Sequence, residues 1–165
     1  MRSYIPLALI PLVFWFFCCS TDGIDEETIQ TTDEASKSNG LAKVTNVTTT
    51  GTANDYTFSV SIESPDTGCN QYANWWEVID LEGNLIYRRI MAHSHVDEQP
   101  FTRSGGIISI SGNQEVYIRA HMNTNGYGTS VFKGSVENGF SADVLDANFA
   151  KELQNQEPLP TSCAF

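Results

Sequence analysis

Apolar and polar side chains alternate with a period of two along much of this chain. Tyr56-Thr57-Phe58-Ser59-Val60-Ser61-Ile62 alternates without a break, and Val116, Ile118, Ala120 and Met122 alternate with Glu115, Tyr117, Arg119 and His121. Successive residues of a strand point to opposite faces of a sheet, so this period marks half-buried strands. The pattern predicts strands near 41–50, 54–63, 72–81, 84–94, 106–111, 115–123 and 129–137. Turn residues stand between them: Gly51, Ser64-Pro65-Asp66, Glu82-Gly83-Asn84, Ser111-Gly112-Asn113 and Asn125-Gly126-Tyr127-Gly128. Gly105-Gly106 also reads as a turn. Helical character appears only over 143–154. Seven short strands with turns between them predict an all-β protein, a single sandwich with a short C-terminal helix and tail.

Ahead of the strands the pattern changes twice. Residues 1–18 hold one positive charge, Arg2, and then an apolar run from Tyr4 to Phe17 that is too short to span a bilayer as a helix and carries Pro6 and Pro11. This is the make-up of a secretory signal. The run ends in Cys18-Cys19, which resembles the lipobox of bacterial lipoproteins, where a cysteine after a small residue is diacylated and becomes the new N-terminus. Phe17 is too bulky to precede the acylated position and Cys18 is small, so the resemblance puts the lipid on Cys19. It departs from the family pattern at Phe16, where a leucine is usual. Residues 19–40 then carry six carboxylates, one lysine and few apolar side chains, a composition that cannot offset its ordering entropy and predicts a flexible tether. The acidic run Asp22, Asp25, Glu26, Glu27 is similar to the signal by which some Gram-negative bacteria send lipoproteins to the cell surface; a plain solvated spacer reads as well. The resemblance implies an outer-membrane lipoprotein, periplasm-facing or on the cell surface, held to the membrane by its lipid.

The remaining chain suffices for one core, divided here into a sandwich over 41–142 and a helix with tail over 143–165. It carries seven basic and fourteen acidic residues, which argues against nucleic acid as a partner. In an oxidising compartment its two cysteines, Cys69 and Cys163, read as a disulfide tying an early loop to the tail. The segment QEVYIRAHMNTNGYG, from Gln114 to Gly128, resembles the sixth strand and following loop of fibronectin type III domains. That resemblance implies an immunoglobulin-like or fibronectin-like sandwich and no activity.

In such a sandwich the strands near 72–81, 84–94, 115–123 and 129–137 share a sheet. Parity then sends Tyr117, Arg119 and His121 outward, with Tyr87, Arg89, Met91, His93 and His95 beside them. Arg88 falls awkwardly on the inner parity. Of the two adjacent tryptophans, Trp75 shares parity with Ile79 and Leu81, which places Trp76 outside. The expected binding face is Trp76, Tyr87, Arg89, His93, His95, Arg119 and His121, suited to an anionic small molecule, a glycan or an envelope protein. The alternative within the same pattern is that the arginines pair with Glu77, Asp80, Asp97 and Glu98 and the rings merely cover the sheet. A second function reading rests on the histidines. His93 and His95 are two apart on a strand, and with His121 they would give three imidazoles, a set for zinc, or for copper if Met91 or Met122 joins. A metal-dependent hydrolase at that site is a third. No nucleophile elbow and no phosphate-binding glycine loop is present, and no carboxylate pair stands out for glycoside chemistry.

Overall fold

The computed structural model describes residues 40–164. The signal segment, Cys19 and most of the acidic tether lie outside them. Among the described residues nine strands form, two more than the pattern predicts: β1 (Lys43–Thr52), β2 (Asp55–Glu63), β3 (Ala73–Ile79), β4 (Leu85–Ile90), β5 (Phe101–Ile108), β6 (Val116–Met122), β7 (Gly126–Tyr127), β8 (Ser130–Ser135) and β9 (Gly139–Val144). They make two antiparallel sheets. One has the order β1-β2-β5, and the other β4-β3-β6-β8-β9 with β7 also on β6. Phe58, Val60 and Ile62 of the first sheet share a core with Trp76, Val78, Val116, Ile118, Ala120 and Met122 of the second. The alternating positions of β2 and β6 thus do what their period requires.

Three elements differ from expectation. β5 begins at Phe101 rather than 106, and Gly105-Gly106 lies inside it. Gly105 is there for close packing: a Cβ would stand 2.6 Å from the Tyr87 hydroxyl and 3.1 Å from the Trp76 ring. The expected helix over 143–154 is instead the end of β9, which passes the expected boundary at 142, followed by one 3-10 turn, Lys151–Asn155. β4 ends at Ile90, so His93 and His95 leave the sheet and sit in the loop that leads to β5.

Every residue of β3, Ala73-Asn74-Trp75-Trp76-Glu77-Val78-Ile79, is buried. A strand buried on both sides needs a cover on each. The second cover is the chain after β9, here called the strap (145–164). Leu145, Phe149, Leu153 and Leu159 pack on Trp75, Ile79 and Tyr127 to make a smaller apolar cluster on the outer side of the sheet. The strap ends at the Cys69–Cys163 disulfide, with Cα atoms 5.7 Å apart, and Ala164 N–H donates to Ala92 O at 2.6 Å. The disulfide read from the sequence is therefore formed, and its role is to pin the strap.

Candidate functional site

Register builds the outer side of the second sheet row by row. Glu77 on the central strand lies opposite Arg88 on β4 and Arg119 on β6. Paired residues project to the same face, so a carboxylate stands between two guanidiniums. Arg88 Nε donates to Glu77 Oε2 and Arg119 Nε to Glu77 Oε1, each at 2.8 Å. All three side chains are shielded from solvent. One carboxylate against two guanidiniums leaves an excess positive charge in a dry place, which is costly unless other dipoles answer it. The strap supplies them. Arg88 donates to the carbonyls of Leu153, Gln156 and Pro158, and Arg119 to those of Phe149 and Ala150. Arg119 also lies 3.4 Å over the Tyr127 ring and Arg88 4.5 Å over Trp75. Of the expected arginines, Arg119 is on the outer side as its parity requires but is sealed under the strap, where Arg88 rather than Arg89 joins it, and the pairing with Glu77 accounts for both guanidiniums.

The next row holds Ile90, Trp75 and His121. His121 stacks on Trp75 at 3.7 Å and meets Tyr127 edge-on. Its Nδ1–H donates to Asn74 Oδ1 at 2.7 Å. Burial, followed by the Arg88 and Arg119 charges, pushes the His121 pKa down to about 3. The imidazole is therefore neutral and structural. Burial and the Glu77 charge push the Tyr127 hydroxyl well up.

The remaining expected residues are dispersed. Trp76, placed outside from the sequence, is in the core with no exposed surface, and Trp75 takes the outer side. β4 is offset by one position from the expected parity: Tyr87 and Arg89 are on the inner side, at the sheet edge, and Arg88 is on the outer. A register shift between Val78 and Ile79 accompanies this. Tyr87 meets the Trp76 ring at 5.6 Å, and Arg89 donates to the carbonyls of Ser104 and Ile90. Arg103 pairs with Glu98 at 2.8 Å, while Asp80 folds its own turn by accepting from Glu82 and Asn84 N–H. His93 and His95 are adjacent, ring centres 4.6 Å apart, but His121 is not with them; it is committed to Trp75 and Asn74 under the strap. The three-imidazole set does not assemble, because its two sources sit on different elements: one a strand, the other a loop.

One groove remains where the strap meets the sheet. It has a volume of about 480 Å³, and its walls include Tyr72, Trp75, Asn74, Asn123, Gln154 and Thr161. Among the described residues no charged side chain lines it. The Trp75 indole N–H is buried without an acceptor among the described residues. Sequence reasoning missed Tyr72, Asn74, Asn123 and Gln154, which carry no motif: Tyr72 N–H donates to Asn123 Oδ1 where β3 pairs with β6, and Gln154 joins them only through the strap.

Among known proteins, the chain is 39% identical over 82 residues to a protein of Halomicrobium mukohataei named "Putative lipoprotein", across 50% of this chain and 40% of that relative. The chain thus spans about two-fifths of the length of the curated relative it matches. No family model matches the chain. No solved structure matches it. The structure shows an all-β, two-sheet fold, and the comparison shows likeness to a protein named "Putative lipoprotein".

Proposed function

We propose that the chain is a lipid-anchored binding module of the cell envelope that takes a neutral polar ligand of glycan type in the groove at the pinned end of the strap. The observation that carries this reading is the groove's wall: the accessible side-chain amides of Asn123 and Gln154 and the Thr161 hydroxyl over the buried Trp75 and Tyr72, with no charged side chain among the described residues. Uncharged amide and hydroxyl groups in a groove suit a sugar, whose hydroxyls need donors and acceptors. An anionic ligand would need free guanidinium forks, and those of Arg88 and Arg119 are taken up by Glu77 and the strap. The sheet order β1-β2-β5 against β4-β3-β6-β8 supports a fibronectin-type-III-like sandwich with β9 and the strap added.

Likeness to a protein named "Putative lipoprotein" supports the anchor, and the Cys18-Cys19 pair supports Cys19 as its site. Cys19→Ser should move the protein from the membrane to the soluble fraction and abolish labelling by a palmitate analogue, while Cys18→Ser leaves both intact. Binding itself is tested on an array of neutral and acidic oligosaccharides. Neutral binders should lose about 2- to 10-fold in affinity on Gln154→Ala or Asn123→Ala, the worth of one or two hydrogen bonds. Binding of acidic glycans alone, or binding that neither variant weakens, counts against the groove.

A further inference from the structure

We propose that His93 and His95, on the loop between β4 and β5, form a two-imidazole site for a divalent transition-metal ion, copper(II) ahead of zinc. This rests on a different place from the groove and stands independently of the reading above. His95 is only 3% exposed, yet neither ring nitrogen has a hydrogen-bond partner among the described residues. A neutral imidazole holds one donor and one acceptor, and leaving both dry costs free energy that calls for an explanation. Its backbone is firmly held: His95 N–H donates to Asp66 Oδ2 at 2.8 Å, and Gln99 Nε2 donates to His95 O at 2.9 Å. Its ring is clamped on Phe101 at 3.9 Å, nearly parallel. His93 is exposed and free to turn, with its ring centre 4.6 Å from that of His95.

That separation fits a shared ion. With metal–nitrogen bonds of about 2.0–2.1 Å, two imidazoles held cis on one metal have ring centres about 4.5–5.2 Å apart. A hollow of about 270 Å³ is lined by both rings and by Asp97, Glu98 and Arg103. As they stand, no three His, Cys, Asp or Glu side chains converge among the described residues, so the two rings are the core of the site. The exposed Asp97 and Glu98 can turn to add oxygen, with water completing the sphere. Asp66, Asp97 and Glu98 outnumber the one guanidinium nearby, Arg103, which favours a cation. Imidazole with carboxylate and water is a donor set for which copper(II) outranks zinc.

The test is a competition titration of the full chain with copper(II) and zinc(II), with the copper(II) resonance spectrum recorded at one equivalent. We expect one copper(II) per chain bound at micromolar affinity or tighter, zinc weaker, and hyperfine splitting from two imidazole nitrogens. His93→Ala, a change at an exposed residue that should leave the fold intact, should weaken copper at least tenfold. His121→Gln, checked to be folded, should leave it unchanged. Absence of binding, binding undiminished in His93→Ala, or binding lost in His121→Gln overturns the proposal.

Discussion

Glu77 shows how one side chain decides the character of a surface. It holds Arg88 and Arg119 in place so that their outer donors reach the strap, and removing it would leave two like charges facing each other in a dry site. Glu77→Gln should destabilise the fold by about 3–5 kcal/mol, measured by urea unfolding. Filling the three positions with apolar side chains would not restore the loss, because the strap carbonyls of Phe149, Gln156 and Pro158 would then lack donors. His121 makes a pH prediction of defined sign. Its folded pKa, about 3, lies below the unfolded value near 6.5, so the unfolded chain takes up the proton first. The stabilisation from its neutral form is complete above pH 6.5 and is lost as pH falls toward 3, on the order of 5 kcal/mol in full. Unfolding free energies of wild type and His121→Gln, compared from pH 7 to pH 4, should diverge by about 3 kcal/mol over that range; parallel curves would show that the ring is not held neutral.

At the level of elements, the strap is the part of the fold that the pattern of residues concealed. β2 and β6 were legible because one side of each faces the core and the period is two. β3 was legible as a strand but not as a doubly covered one, although its run Trp75-Trp76-Glu77-Val78-Ile79 has no exposed parity at all, which is the mark of burial on both sides. Treating the outer side as open then made Arg119 and His121 look like ligand-binding groups. β4 misled for another reason: Ile86 and Ile90 share parity in sequence, but the register shift at Val78–Ile79 separates their environments, so Arg88 rather than Arg89 meets Glu77. The strap itself carries only scattered apolar residues and no period, since it packs through single side chains and main-chain carbonyls. Its tie to the sheet is measurable. Leu153 is buried among Trp75, Ile79 and Tyr127, and Leu153→Ala should cost about 2–4 kcal/mol. Breaking the Cys69–Cys163 link, which closes a span of 94 residues, should cost about 4–5 kcal/mol in the chain-entropy picture and raise amide exchange first in the strap.

Seen whole, the molecule is an acidic two-sheet domain whose arginine-rich side is sealed by its own C-terminal segment. Charge on that side serves the fold, and the groove proposed for a ligand lies where the pinned strap end meets β3. The cysteine pair at 18–19 and likeness to a named lipoprotein place such a domain on a membrane by proposal, with the lipid and the groove at separate parts of the chain. The most direct test is a nuclear magnetic resonance titration of the isotope-labelled chain with the best neutral oligosaccharide from the array. The account predicts saturable shifts at the Trp75 indole N–H and the Asn123 and Gln154 side-chain amides, with the Arg88 and Arg119 guanidinium signals unmoved. Shifts that leave these three groups untouched, or that centre on the arginines under the strap, would contradict it.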